Sequence, residues 1–348
     1  MNTSELISAL IAASERAGNI ARICRQDENL LSLLVQEKKD SEKNPRFTTD
    51  FKTLADVLVQ EMVKHDLCSQ FPLLYGHIYG EENNQFVSDG ETITVEVKPT
   101  AEETANLLNK VIGNFKASKT LSEALYSPIT VPNNIIEQEL PQLPDNLGVW
   151  IDPIDSTAEY IRGGLNVEQG FILSGLPCVT VLLGVFDRDS GIPLIGVINQ
   201  PFYKEESDGW RGRYVFGFSY NGLKLSQPST ELINTKVIAV SSSEKEEIKE
   251  TLKQNGYEIV EIAGAGFKLL NIILGQVCGY VLSKPTSYLW DICACHAVLE
   301  SIGGGIIDFT NLNPIEYKGK KEVNCCNSGG IIAYRNTNIR DDIIEKLK

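Results

Sequence analysis

The chain is short of histidine, of positive charge and of long apolar runs. Its three histidines, His65, His77 and His296, are too scattered for a histidine-based metal site. Lys and Arg number 32 against 46 Asp and Glu, a net charge of −14. That balance argues against nucleic-acid polymers or anionic membranes as partners. No apolar run approaches the length of a membrane span. Met1 to Arg25 carries Glu5, Glu15, Arg16, Arg22 and Arg25 without a long apolar core, so it reads as an amphipathic helix and not as a secretory signal. The eight cysteines lack zinc-type spacing; only Cys293-x-Cys295 and Cys325-Cys326 lie close together. Reduced thiols in a cytoplasmic protein are the expectation. No internal repeat is visible.

What remains is an ordinary globular composition, 42% hydrophobic and 22% charged over 348 residues. That length suits one large domain or two closely packed ones. The informative stretch is Trp150 to Thr157, WIDPIDST. Leu147 to Ile151 reads as the end of a buried strand. Asp152 and Asp155 follow, and Pro153 stiffens the chain between them, so both carboxylates can face one point. Ser156 and Thr157 sit where a helix can start, with hydroxyls and backbone N–H groups available. An acidic turn capping a helix explains this stretch equally well when it is read alone.

In chain order, residues 4–24 form an amphipathic helix, a second helix covers about Leu30 to Lys39, and a charged loop spans Lys38 to Arg46. A helix starts near Thr53 with Asp56 beside its apolar stripe. His77 to Glu82 is a short strand ending in Gly80, Glu81 and Glu82, and Thr92 to Val97 a half-buried strand. Helices follow at Ala101 to Ile112 and Lys119 to Leu125, then a loop at Val131 to Leu143. Pro177 to Phe186 and Pro193 to Pro201 form a hairpin, as do Arg213 to Phe218 and Leu223 to Leu225. From Lys236 strands and helices alternate, an α/β rhythm. The fold class is therefore α+β followed by α/β. Gln227 to Thr230 mark a boundary between residues 1–230 and 231–348.

Five features stand in order: Asp56 in KTLAD, Glu81-Glu82 in GEE, WIDPIDST, AGAGFK at 263–268, and WDICACHAVL with Asp291. Together they resemble the magnesium-dependent, lithium-sensitive phosphomonoesterases, the family of inositol monophosphatase, fructose-1,6-bisphosphatase and the bisphosphate nucleotidases. DFKTLADVLVQE (50–61), GVINQPF (196–202) and SSSEKEEIK (241–249) resemble the branch that removes the 1-phosphate from inositol polyphosphates, as does Ser156, where monophosphatases usually have Gly. Two features depart from vertebrate members of that branch. Ala158-Glu159 replaces larger polar or aromatic residues, and the loop Asn311 to Lys321 is shorter.

The resemblance implies a layered α/β/α/β/α sandwich of the inositol monophosphatase type. It implies two or three Mg²⁺ ions, with Li⁺ and Ca²⁺ as inhibitors. Glu81, Asp152 and the Ile154 carbonyl would hold one ion, Asp152, Asp155 and Asp291 a second, and Glu82 a third through water. Thr157 and Asp56 would orient and deprotonate the attacking water. Ser156 and Thr157 would bind the scissile phosphate. Ser243, Lys245, Gly264, Ala265, Lys268 and Thr286 would contact the rest of the substrate. The expected partner is a small inositol polyphosphate, and the expected state a monomer. Two alternatives stand beside this: a nucleotidase acting on 3'-phosphoadenosine 5'-phosphate, and a non-catalytic inositol-phosphate binder. The binder would be expected to have lost some of these acids.

Overall fold

Three glycines on neighbouring strands decide how the two halves meet. Gly184, Gly196 and Gly217 lie side by side in register. A Cβ on Gly196 would stand 1.9 Å from the Ala294 carbonyl oxygen, and one on Gly184 2.5 Å from the Ala294 nitrogen. The helix that carries Asp291 therefore lies flush on this glycine stripe.

The computed structural model describes residues 1–26, 31, 34–38, 51–88, 90–132, 135–136, 138–227, 235–318 and 325–347. The first part of the chain gives helix α1 (Thr3–Gln26), the paired strands β1 (Val35–Glu37) and β2 (Phe51–Thr53), helix α2 (Leu54–Gln70), and strands β3 (Ile78–Gly80), β4 (Gln85–Ser88) and β5 (Glu91–Thr94). Helices α3 (Ala101–Ile112) and α4 (Phe115–Tyr126) follow. Then come strand β6 (Leu147–Asp155), the short helix α5 (Thr157–Arg162) and a hairpin of β7 (Leu165–Glu168) and β8 (Phe171–Gly175). Strands β9 (Thr180–Asp187), β10 (Pro193–Glu206), β11 (Gly209–Tyr220) and β12 (Leu223–Gln227) form a meander. The rest alternates: β13 (Val237–Val240), α6 (Glu246–Gln254), β14 (Glu258–Glu261), α7 (Ala265–Ile273), β15 (Gly279–Leu282), α8 (Leu289–Ser301), β16 (Gly305–Asp308), β17 (Ile331–Tyr334) and α9 (Thr337–Leu347).

Two sheets result. The first has the order β12-β11-β10-β9-β6-β3, and the second β14-β13-β15-β17-β16. Apolar residues of α1 and α2, including Leu6, Leu10, Leu54 and Leu58, share a core with one face of the first sheet. Helices α7 and α8 fill the space between the sheets, with Leu269, Leu270, Ile292 and Val298 buried there. Leu252 of α6 and Ile343 of α9 pack on the outer face of the second sheet. The order is α/β/α/β/α, the expected sandwich. The first sheet is drawn from residues up to 227 and the second from 237 onward; residue 230 itself lies outside the described residues.

Some local expectations change. Val35 to Glu37 is a strand, not the end of a helix, because it pairs with Phe51 to Thr53. Leu31 and Leu34 of the expected helix are helical; its other residues before Val35, and most of the loop to Arg46, lie outside the described residues. The strand expected over Thr92 to Val97 ends at Thr94 and is largely exposed, as half of a two-stranded hairpin. The β7–β8 hairpin was not expected at all. Among the described residues no helix is long and apolar enough to cross a membrane.

Candidate active site

WIDPID is continuous strand to Asp155, and a bulge provides the change of direction expected from a turn. Asp152 pairs with Leu182 and Asp155 with Thr180, so three steps on β6 match two on β9. Residues three apart on a regular strand face opposite sides; one extra residue brings them to the same side. Pro153 has no N–H, and an interrupted ladder tolerates it. All nine residues of β6 are buried. Ser156 then takes the left-handed conformation, φ +73°, before α5 begins at Thr157. That geometry favours glycine, which accounts for glycine as the alternative residue there.

Neighbouring elements deliver the other acids. The N–H of Glu81 donates to the Ile151 carbonyl at 3.3 Å, extending the parallel β3–β6 pairing and bringing Glu81 alongside Asp152. Gln60 of α2 clamps the next residue: its amide donates to the Glu82 carbonyl and accepts the Glu82 N–H at 3.0 Å. Lys38 bridges the pair, with its ammonium 2.6 Å from Glu81 and 2.7 Å from Glu82. Asp291 sits in the first turn of α8 and accepts the Tyr288 N–H at 2.8 Å, so the capping role and the site role fall on one carboxylate.

Asp155 is held from three directions. The Thr180 hydroxyl donates at 3.1 Å, the Gly266 N–H at 2.9 Å and the Ala265 N–H at 3.3 Å. The start of α7 therefore braces an acid of the site. The Ala265 N–H expected to meet substrate is directed at Asp155. Lys268 lies below the cavity wall, 1% exposed, donating to the Ile262 carbonyl at 3.0 Å with Tyr280 beneath it.

The two carboxylate oxygens of Asp56 have different surroundings. Its Oδ2 takes the N–H and the hydroxyl of Thr53, each at 2.6 Å, in a capping box. Its Oδ1 faces the Thr157 hydroxyl at 3.5 Å, while that hydroxyl also reaches the Ile154 carbonyl at 3.1 Å.

Burial dominates the electrostatics. It raises the Asp56 carboxyl to about 6, against the lowering effect of the Thr53 bonds and of Lys38. It pushes Glu82 up to about 8, with Lys38 pulling down and Glu81 pushing up. Asp152 rises well above the carboxylate range through burial and then through Glu81, Asp155 and Asp291. Asp291 rises through burial, Asp155 and Glu81. Asp155 rises less, because Lys268 offsets its burial.

These residues fit a hard divalent cation by donor chemistry. They are oxygen donors under mutual repulsion, and Asp152 Oδ1 is buried without a hydrogen-bond partner. Among the described residues no three acidic, histidine or cysteine side chains converge on one point at ligand distance.

The residues surround a cavity of about 660 Å³. Glu81, Asp152, Ile154, Asp155, Ser156, Thr157, Ser243, Gly264, Ala265, Thr286 and Asp291 line it. Asp56, Glu82, Lys245 and Lys268 do not. A separate open groove of about 730 Å³, between Arg22, Trp210 and Arg213, holds none of the expected residues. Sequence reasoning missed Lys38, Gln60 and Thr180. The T-x-x-D spacing of Thr53 and Asp56 was a readable capping signal. Nothing local marks the other three, because each acts across more than twenty residues of chain.

The inositol monophosphatase family pattern matches residues 2–346. Inositol polyphosphate 1-phosphatase of Mus musculus is 41% identical, over 99% of this chain and 97% of the mouse protein. The human protein of that name is 41% identical over 95% of this chain and 94% of its own. A 3'(2'),5'-bisphosphate nucleotidase of Rattus norvegicus is 29% identical over 94% of this chain and 90% of its own. Among solved structures, the suhB protein of Bartonella henselae matches with a TM-score of 0.58 at 13% identity, covering 99% of this chain and 98% of that one. An IMPase/NADP phosphatase complexed with Mg²⁺ and phosphate matches at 0.52 and 15%, covering 93% and 91%. At such identities the structures speak for the fold, and the sequence relatives carry the family. With the whole chain covered, the fold shared and Glu81, Asp152, Asp155 and Asp291 on the wall of one cavity, the chain belongs to the inositol monophosphatase family.

Proposed function

We propose that this protein is a magnesium-dependent phosphomonoesterase that removes the 1-phosphate from inositol polyphosphates such as inositol 1,4-bisphosphate and inositol 1,3,4-trisphosphate. The observation that carries the chemistry is the buried, unpartnered Oδ1 of Asp152 among mutually repelling acids on the wall shared with Thr157. The relatives at about 41% identity carry the substrate.

In this reading Glu81, Asp152, Asp155, Asp291 and the Ile154 carbonyl would hold two Mg²⁺ ions, and Glu82 would serve a third. Bound Mg²⁺ supplies charge neutralisation at the phosphate and an acidified water. The protein's own groups do the positioning. Thr53 occupies one oxygen of Asp56, leaving Oδ1 to take a proton relayed through Thr157. The N–H groups of Ser156 and Thr157, at the start of α5, face the scissile phosphate. Ser243 and Thr286 meet the far side of the substrate across the cavity. Lys245, at the N-cap of α6, and Lys268, below the wall, lend positive charge to a second phosphate in a chain of net charge −14. Li⁺ and Ca²⁺ would inhibit by displacing Mg²⁺. The eight free thiols fit a reducing, cytosolic setting, with the protein acting as a monomer.

Phosphate release from inositol 1,4-bisphosphate, fructose 1,6-bisphosphate and adenosine 3',5'-bisphosphate tests the reading. The first should be turned over best, and only with Mg²⁺. Preference for the adenosine compound would replace the reading with a nucleotidase, and no turnover of any would leave a binding protein.

A further inference from the structure

Two loops form the cavity wall away from the catalytic dyad. One, Ser241 to Lys245, joins β13 to α6 and carries Ser243. The other, Ser283 to Tyr288, joins β15 to α8 and carries Thr286. Glu244 lies between them, 4% exposed, and is absent from the cavity lining. Its carboxylate accepts the Ser283 N–H at 2.8 Å, the Ser283 hydroxyl at 2.5 Å and the Lys245 N–H at 2.7 Å. A second tie runs the other way, from the Lys284 ammonium to the Ser243 carbonyl. The Ser243 hydroxyl, held on this braced loop, is buried without a protein partner.

A buried carboxylate is costly unless its hydrogen bonds offset the lost hydration. Here every bond it makes joins one loop to the other or fixes the backbone of its own loop. We propose that Glu244 is a positioning residue for substrate selection: by fixing the spacing between Ser243 on one loop and Thr286 on the other, it sets the width of the wall that reads the non-scissile phosphate. This rests on the bisphosphate reading above.

Glu244→Ala tests it on the full protein. KM for inositol 1,4-bisphosphate should rise about tenfold to a hundredfold, the effect of losing one or two charge-assisted contacts. The kcat, turnover of p-nitrophenyl phosphate and Mg²⁺ affinity should stay near wild type, since none of these uses the second phosphate. Glu244→Gln should fall between, because it keeps acceptors for the Ser283 hydroxyl but turns an amide group toward a donor. If Glu244→Ala fails to fold, Ser283→Ala and Lys284→Met each remove part of the brace and should shift KM in the same direction. Equal losses on both substrates, or weakened Mg²⁺ binding, overturn the proposal. A wild type that prefers the bisphosphate, with variants that prefer it equally, overturns the brace alone. A wild type without that preference removes the bisphosphate reading, and the proposal with it.

Discussion

Gln60→Leu isolates the link between the helix that carries Asp56 and the loop that carries Glu81 and Glu82. Gln60 lies one helical turn after Asp56 on α2, fully buried, and makes both backbone bonds of Glu82. Gly80 leaves room for it: a Cβ there would stand 2.0 Å from the Gln60 amide oxygen. Leucine is similar in size but can neither donate nor accept. A buried backbone group left unpaired costs about 1–3 kcal/mol. The loop can avoid that cost by moving out to solvent, but it then gives up the position of Glu81. Holding Glu81 at the metal restores the cost, so Mg²⁺ affinity should fall roughly 5- to 150-fold. Trp150 and Trp290, 6.0 Å apart beside Asp152 and Asp291, provide a fluorescence titration, with calorimetry as a second readout. At saturating Mg²⁺, kcat should recover most of its wild-type value. Unchanged Mg²⁺ affinity with a depressed kcat would refute the reasoning and make Gln60 a support for Asp56 alone.

Two further outcomes follow. Thr157→Val and Asp56→Asn should each lower kcat about 10²- to 10⁴-fold with Mg²⁺ affinity largely kept; the double variant should be no worse than the worse single one, and additive losses would separate the pair. In EDTA the protein should lose thermal stability as pH rises from about 4 to 8. Asp56 and Glu82 have ordinary values of 3.8 and 4.5 but about 6 and about 8 in the fold, so the folded state binds protons more tightly and that stabilisation is lost through this window. Added Mg²⁺ should therefore raise Tm more at pH 8 than at pH 6, and an equal rise at both would count against burial as the source of the strain.

The parts of the molecule that were legible in the sequence are those with local causes. α2 carries its own start signal in Thr53 and Asp56, α3 has its Thr100 cap, and the meander from β9 to β12 has turn residues between alternating runs. The acids were legible as motifs, but their placement around one cavity was not. It depends on a bulge between the Asp152–Leu182 and Asp155–Thr180 pairs, on pairing between β3 and β6, and on a glycine stripe under α8, all long-range events. For the same reason β1 was misread: its Leu-rich approach favours helix, and its pairing with β2 overrides that preference. Lys268 shows the limit for side chains. A lysine opening a glycine-rich helix suggests an exposed anion site, yet its ammonium is buried on the Ile262 carbonyl.

The measurement closest to the central claim follows inositol 1,4-bisphosphate by phosphorus NMR with the wild-type protein and Mg²⁺. The account predicts that the 1-phosphate resonance disappears while inorganic phosphate and inositol 4-phosphate accumulate, with turnover stopped by EDTA and absent in Asp152→Asn. Loss of the 4-phosphate first, or undiminished turnover by Asp152→Asn at saturating Mg²⁺, would contradict it.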